Sequence, residues 1–310
     1  MSKNLDYNIE ESKISTDEVF DLALTLKIIW KKKLTLASFV GIFSIASVIY
    51  ALSLPDIYRS KAILAPAESA DSLNRSISSM SGLASIAGIS LPNSDSDKLD
   101  MGLEVLKSLS FFEEFIKKEN ITAPLVAGVG WDKSTGSLIY DEDKYDPSTD
   151  TWLDSEPSLQ ESHGKLMQNM SIFRSPKTGF VEISLDHFSP FYAEKWLRLL
   201  IHEINEKVRS EDMTVTELSI EFLEKEISST QLLEVRNGLN MLMQDQIQKR
   251  MVAKATPEYL FKVLAKPFAP EKKNSPRRSI ICILGFLTGF ILGVLYIFLI
   301  TKFKQSVEQP

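Results

Sequence analysis

The sequence contains few of the residues on which enzymes and metal proteins depend. Its single cysteine, Cys282, excludes an intrachain disulfide. Its three histidines, His163, His187 and His202, show neither the HxxH nor the HExxH spacing of zinc sites. A GxSxG elbow, kinase signature motifs and a P-loop are also missing. We therefore expect no catalytic residue, no cofactor and no metal, and we interpret the histidines as surface or capping residues.

Two patterns look like binding motifs but lack an essential residue. Gly128-Val129-Gly130 has Lys133 where a dinucleotide fingerprint needs its third glycine, so we predict a turn there. Asp141, Asp143 and Asp146 suggest calcium, but Asp146 stands where an EF-hand loop needs glycine. We interpret this stretch as a solvated acidic loop.

Acidic residues outnumber basic ones, and the whole chain has a net charge of −6. Residues 55–278 contain 27 Lys and Arg against 34 Asp and Glu, a net charge of −7. Nucleic-acid binding needs a basic surface that releases counterions from the phosphates. The composition therefore argues against a nucleic-acid partner.

Long uncharged apolar runs occur twice, at residues 34–54 and 279–301. At ~1.5 Å per residue each is long enough for a bilayer core of ~30 Å, so we predict two transmembrane helices. Lys31, Lys32 and Lys33 precede the first run, and basic residues mark the cytoplasmic flank. Residues 1–33, with a short amphipathic helix, and the tail 302–310 are therefore expected to be cytoplasmic. A cleaved signal peptide ending near Ser53 is the alternative, but the polar stretch before the run is too long for one.

Small residues recur along one face of each predicted membrane helix. Gly285, Gly289 and Gly293 follow one another at intervals of four, and Ala37 and Gly41 show the same spacing. Such faces let helix backbones approach closely in lipid, so we predict helix packing there. The alternative is that glycine is simply common in membrane helices.

Between the two runs the pattern indicates a domain of mixed helix and strand. Residues 58–66 alternate between two faces and predict a strand, and residues 171–173 and 180–185 predict a hairpin. Apolar spacing predicts helices at 100–120 and 158–169, and Tyr259–Ala265 should be a returning strand. The serine-rich stretch 69–96 is expected to be a loop with a short helix at 83–91.

The longest helical signal covers residues 190–256. Between Pro190 and Pro257, 66 residues contain no proline and only one glycine, which predicts a helix of ~100 Å if it is unbroken. Its apolar stripe is thin, so we expect it to project and to be covered by neighbouring copies, with Phe222 and Ile227 as contact candidates. A break near residues 209–214 would weaken that inference.

A proline-rich segment, residues 267–278, leads into the second membrane helix. Its spacing, followed by Gly289 and Gly293, resembles the motif of the Wzz-type chain length determinants, or polysaccharide co-polymerases, of bacterial lipopolysaccharide. Arg277 stands where lysine is usual in that family, and Ile291 where methionine is frequent. The motif residues are Pro267, Pro270, Ser275, Pro276 and Arg277.

The resemblance implies an α+β protein of the bacterial inner membrane, in which two transmembrane helices bracket a periplasmic α/β base domain with a very long projecting helix. It implies a homo-oligomer that sets O-antigen chain length without being an enzyme. The expected partners are a separate O-antigen polymerase and, as a further candidate, the growing lipid-linked polysaccharide. Regulation of enterobacterial common antigen, capsule or exopolysaccharide remains an alternative. A two-helix sensor would need an output domain that nine residues cannot supply, and an export adaptor would not need the second membrane run.

Overall fold

The computed structural model describes residues 30–67 and 94–307. The predicted N-terminal amphipathic helix and the predicted helix at 83–91 lie outside the described residues. The elements, in chain order, are α1 (Lys33–Ser53), β1 (Tyr58–Pro66), α2 (Ser94–Lys107), α3 (Leu109–Glu119), α4 (Thr122–Val126), β2 (Gly128–Asp132), β3 (Ser137–Tyr140), β4 (Tyr145–Asp146), β5 (Thr151–Trp152), α5 (Leu159–Asn169), β6 (Met170–Arg174), β7 (Val181–His187), α6 (Pro190–Ser229), α7 (Leu233–Ala255), β8 (Phe261–Ala265) and α8 (Arg278–Val307).

The chain forms two compact units. The first, residues 1–54 and 277–310, contains α1 and α8, and the second, residues 55–276, contains the remaining elements. Helix α1 and the first 24 residues of α8, Arg278–Thr301, are each long and apolar enough to cross a membrane. The predicted α+β class, with two apolar terminal helices and a long helix, is confirmed.

A four-stranded antiparallel sheet organises the second unit, in the order β6-β7-β1-β8. Strand β1 lies in the middle and buries every second side chain, from Tyr58 through Ser60 and Ala62 to Leu64. That alternation is the period-two pattern of a strand whose one face meets the core. The predicted strand at 58–66 and the predicted β6–β7 hairpin are confirmed.

The N-terminal half of α6 covers this sheet. Trp196, Leu200, Ile204 and Val208 are buried in the core, and α6 packs on both β1 and β7. The expectation that the whole apolar stripe would lie outside its own domain was therefore wrong for this half. Each turn of this half contributes at least one buried apolar residue, as expected for a helix that packs on a sheet.

A buried polar side chain, Asn205, joins α6 to β8. Its Oδ1 accepts hydrogen bonds from the N–H groups of Leu260 and Phe261, both at 2.8 Å, and its amide donates to the carbonyls of Ile201 and Phe261. Because the side chain is only 3% exposed, these bonds replace solvent for the backbone at the start of β8.

The helical signal at 190–256, whose continuity the sequence left open, forms two helices. Helix α6 has 40 residues and passes without interruption through 209–214, the alternative break point, whereas the chain leaves the helix at residues 230–232 before the 23 residues of α7. Ser228 and Ser229 bond to carbonyls of the last turn, and Thr230 is extended. Serine and threonine hydroxyls that bond to nearby backbone groups compete with the hydrogen bonds of the helix, and they therefore favour the end of a helix. Helix α7 folds back along α6, giving a helical hairpin.

Three smaller expectations also changed. The predicted helix at 100–120 is divided at Ser108, whose hydroxyl accepts a hydrogen bond from Phe111 N–H and caps α3. Gly128-Val129-Gly130 is not a turn but part of strand β2, paired with β3. The returning strand begins at Phe261 rather than Tyr259.

Candidate functional site

The predicted glycine face of α8 packs against α1 of the same chain. An added Cβ at Gly285, Gly289 or Gly293 would lie 2.3 Å from Ser47, 2.8 Å from Phe43 and 2.7 Å from Leu36, respectively, so no larger residue fits without movement. Close backbone approach of this kind is how small residues support helix contact in lipid.

Of the small residues on α1, Ser47 lies in this contact, whereas Ala37 and Gly41 lie away from it. Ala37 is exposed, and an added Cβ at Gly41 would meet no atom within 4 Å. The glycines and these two residues therefore form separate surfaces of the first unit.

Helix α1 is also tied to α8 at its C-terminal end. The guanidinium of Arg278 donates to the carbonyls of Ala51 and Leu54, at 3.0 and 3.3 Å. These carbonyls have no partner within their helix, and a cation at a helix C-terminus is favoured by the dipole. Arg277, the motif residue just before Arg278, is exposed.

The proline-rich segment runs beside the first residues of the second unit. Ile57 N–H donates to the carbonyl of Ser275 at 2.9 Å, and Asn274 N–H donates to the carbonyl of Ile57 at 2.8 Å. Lys273 forms an ion pair with Asp56 at 2.8 Å. Pro267, Pro270 and Pro276 keep this segment out of any helix, as predicted. The two chain ends of this unit are therefore held side by side.

The helical hairpin exposes an apolar surface. A groove of about 430 Å³ between α6 and α7 is lined by Val215, Leu218, Phe222 and Leu242, among others. Val215 is 63% exposed and Phe222 61% exposed, whereas Ile227 is partly buried. Apolar side chains this exposed and this close together are typical of an interaction surface. We call these four groove residues the hairpin groove.

The three histidines occupy different environments. His202 is exposed, and His163 contacts the carbonyl of Lys107 through Nε2 at 2.8 Å. His187, in contrast, is buried, so its interpretation as a surface residue was wrong. Among the described residues no group of three or more His, Cys, Asp or Glu side chains is placed to hold a metal ion.

Hydrogen bonds fix the neutral form of His187. Its Nδ1 accepts from the N–H of Ser189 at 3.0 Å, which leaves Nε2 to donate to the carbonyl of Pro124 at 3.1 Å. The ring also meets Trp196 edge-on, with centroids 4.7 Å apart. Burial lowers the pKa of His187 to about 4, so the imidazole is uncharged at neutral pH.

Two similar β-hairpins, β2–β3 and β4–β5, were missed by the sequence analysis. In each hairpin an aromatic residue and an Asp precede a turn that contains Ser-Thr, and the strand after the turn begins with Ser or Thr. The corresponding stretches are Trp131–Ser137 and Tyr145–Thr151. Comparing the two stretches residue by residue would have found the repeat, because five of seven consecutive positions correspond in character. The acidic stretch expected as a loop at 141–146 consists of a turn at 141–144, between the two hairpins, and of strand β4.

Comparison with known proteins supports one family. Residues 18–119 match the family model described as Wzz, chain length determinant protein. The matched stretch includes α1, β1, α2 and α3, and it does not extend to the proline-rich segment. The predicted resemblance to Wzz-type chain length determinants is confirmed. No curated protein sequence matches the chain.

Two solved structures resemble the chain. One is a full-length bacterial polysaccharide co-polymerase, 13% identical, covering 93% of this chain and 99% of its own, with a TM-score of 0.41. The other is a fragment of WzzB, a polysaccharide co-polymerase from Salmonella Typhimurium, 14% identical, covering 71% of this chain and 100% of its own, with a TM-score of 0.34. At these TM-scores neither likeness adds to the description of the fold.

Proposed function

We propose that this Wzz-type chain length determinant sets the modal length of lipopolysaccharide O-antigen that a separate polymerase makes. The family match over residues 18–119 carries the proposal. A length determinant acts on a product that another protein assembles, so we assign it a non-enzymatic role as an oligomeric scaffold. Surfaces that pack against other helices or other copies, rather than catalytic or metal-binding side chains, would then determine the chain length of the polysaccharide.

Deleting the gene tests this function directly. The surface polysaccharide of the deletion strain should lose its modal length and give a broad ladder on a gel, and the gene supplied on a plasmid should restore the mode. An unchanged O-antigen ladder together with a changed length of another surface polysaccharide would show that the protein regulates that other polymer. Unchanged lengths of every surface polysaccharide would refute the proposal.

We further propose that both termini are cytoplasmic and that residues 55–278 are periplasmic. In this topology the cytoplasmic N-terminal segment is residues 1–33, the two membrane helices are residues 34–54 and 279–301, and the cytoplasmic tail is residues 302–310. Lys31, Lys32 and Lys33 before α1 support this orientation, because basic residues beside the first membrane helix favour the cytoplasmic side.

Cysteine labelling measures this topology. In a Cys282→Ser background, Ser96→Cys should react with a membrane-impermeant thiol reagent in intact spheroplasts, whereas Ser306→Cys should react only after lysis. Labelling of position 306 in intact cells would contradict the orientation.

The hairpin groove is the proposed contact between copies of the chain. Its four apolar side chains are supplied by both helices, which suits a partner helix lying along them. The charged side chains of the two helices favour one orientation of this contact. Glu217, Glu221 and Glu224 lie one turn apart on exposed positions of α6, while Arg250 and Lys249, which also pairs with Asp245, are on α7. The acidic side chains of one hairpin can therefore meet basic side chains of the next, and repeating such a contact forms a ring when the rotation between copies closes.

Phe222→Asp tests the contact between copies. Burying a phenylalanine contributes about 1.5–3 kcal/mol, so this change should weaken assembly at least tenfold. The mass of the complex in mild detergent measures the effect. Thr214→Asp, exposed on the same helix but outside the groove, is the matched control and should leave the mass unchanged. An unchanged mass for Phe222→Asp would exclude the hairpin groove as the contact.

A further inference from the structure

The segment between α4 and α5 contains one hairpin pattern twice. Residues 131–139 read WDKSTGSLI, and residues 145–153 read YDPSTDTWL. In both copies an aromatic residue precedes Asp, and Ser-Thr occupies the turn. The left-handed position falls at the same place in each copy, at Gly136 with φ 66° and at Asp150 with φ 54°. The repeat therefore extends from the sequence to the backbone conformation.

The hydrogen bonds of the two turns are also the same. In the first, Oδ1 of Asp132 accepts from the N–H and the hydroxyl of Ser134, at 2.8 and 2.7 Å, and Oδ2 accepts from Thr135 at 2.9 Å. In the second, Asp146 accepts the corresponding three bonds at 2.9, 2.6 and 2.9 Å. The hydrogen bond from the Ser134 hydroxyl is the main cause that lowers the pKa of Asp132 to about 2. Both carboxylates thus accept hydrogen bonds from their own turns, and each turn is stabilised by its own residues.

The hairpins bring a row of aromatic rings together. Tyr145 lies between Tyr140 and Trp152, with ring centroids 5.1 and 5.2 Å apart, and its hydroxyl donates to Asp150. Tyr145 is buried by its neighbours, whereas Tyr140 and Trp152 each keep part of their surface exposed. We call Tyr140, Tyr145 and Trp152 the aromatic row.

The aromatic row does not serve the core of the domain. The buried hydrophobic cluster on the sheet is built from other elements and includes no residue of 128–157. Leu153, 60% exposed, extends the apolar surface beside Trp152. Residues 128–157 are therefore ordered by contacts among themselves and by a few contacts with neighbouring elements, such as Trp131 with Phe191 on α6. The rings of Tyr140 and Trp152 keep exposed surface that a ligand can reach.

Charge restricts what that ligand can be. Residues 128–157 contain two basic and eight acidic residues, a net charge of −6. A phosphate-rich lipid surface or an acidic polymer would be repelled by this surface. An uncharged sugar is not repelled. Sugar rings carry apolar C–H faces with a slight positive charge, which pack on the negative faces of aromatic rings. The Ser and Thr hydroxyls of the turns donate to Asp132 and Asp146 but keep lone pairs that can accept hydrogen bonds from sugar hydroxyls.

We propose that the aromatic row is a binding site for uncharged polysaccharide. The duplicated turns place similar groups at successive positions, which suits a polymer whose sugars also repeat. The inference rests on the proposed function, since it identifies the regulated polymer as a direct ligand of the periplasmic domain. Contact with the polymer at this site would give the scaffold a means of responding to chain length.

Binding is tested on the full chain in detergent, with delipidated O-polysaccharide of the host strain as the probe and alginate as an acidic comparison. Wild-type protein should bind the O-polysaccharide but not alginate in calorimetric titration. Trp152→Ala should weaken binding at least tenfold. Trp152→Leu, which keeps apolar packing but removes the ring, should do the same. Phe173→Ala, an exposed aromatic residue on β6, is the matched control and should bind within twofold of wild type.

Wild-type protein that fails to bind the O-polysaccharide, or Trp152 variants that bind normally while folded, would overturn the proposal. The polysaccharide ladder separates this from failure of the proposed function. If gene deletion alters the ladder but both Trp152 variants keep normal binding and a normal mode, only the binding site is refuted. If deletion leaves the ladder unchanged, the length-determining function itself is refuted.

Discussion

Acid should destabilise the second unit, residues 55–276, through a single side chain, His187. This residue is 4% exposed, and its two ring nitrogens are committed to one accepted and one donated hydrogen bond with the backbone. A second proton on the ring would oppose the N–H of Ser189 and leave a charge without solvent. The pKa of about 4 in the folded chain compares with ~6.5 in an unfolded one.

The direction of the effect follows from which state binds the proton more tightly. Because the pKa is lower in the folded chain, the unfolded chain gains a proton first, and stability falls as the pH falls. The contribution of neutral His187 is fully present above pH ~6.5 and is lost as the pH approaches 4. A shift of this size corresponds to roughly 3 kcal/mol in total, of which about 2 kcal/mol should be lost between pH 7.5 and pH 5.

Urea unfolding of the detergent-solubilised protein at both pH values measures this loss, followed by tryptophan fluorescence because Trp196 contacts the imidazole. His187→Gln should be less stable at pH 7.5 and should lose most of the pH dependence. His202→Gln, exposed on α6, should keep it. Equal pH dependence in wild type and His187→Gln would refute the assignment.

Two further substitutions probe contacts that the structure reveals. Gly289→Leu with Gly293→Leu should shift or broaden the polysaccharide ladder while the chain still inserts, because α1 leaves no room for the new side chains, and Gly41→Leu, with no atom within 4 Å of its Cβ, should leave the ladder unchanged. A normal ladder in the double variant would exclude the packing of α8 on α1 from the mechanism of length control. Asn205→Ala should lower the free energy of unfolding by about 3 kcal/mol, because two buried N–H groups at the start of β8 lose their acceptor. Urea unfolding measures this, with exposed Asn240→Ala as control, and a loss below ~1 kcal/mol would contradict the role of the buried amide.

Local patterns in the sequence were sufficient for most individual elements. The uncharged runs predicted α1 and α8 to within a residue of their apolar spans, and the alternation at 58–66 predicted β1 and its division into two faces. Prolines predicted an extended chain before α8. These features are local because hydrophobic periodicity and proline geometry act over a few residues, and the same few residues determine the secondary structure.

The candidate sites depended more on contacts between distant parts of the chain. Sequence spacing identified the glycine face but not its neighbour, since the choice of α1 as packing partner is made in three dimensions. The spacing of apolar residues along 190–256 likewise did not distinguish the half of the stripe that packs on the sheet from the half that is exposed on the hairpin. A thin stripe is compatible with either environment.

The sequence by itself determined the two apolar membrane runs, the central strand, the extended proline-rich segment and the resemblance to Wzz-type proteins. Only the tertiary structure decided that the long helix folds back at residues 230–232, that His187 is buried and that the aromatic row forms. Secondary structure follows from interactions between near neighbours along the chain. Burial and the meeting of rings follow from which distant segments pack together, and that choice depends on the free energy of the whole domain.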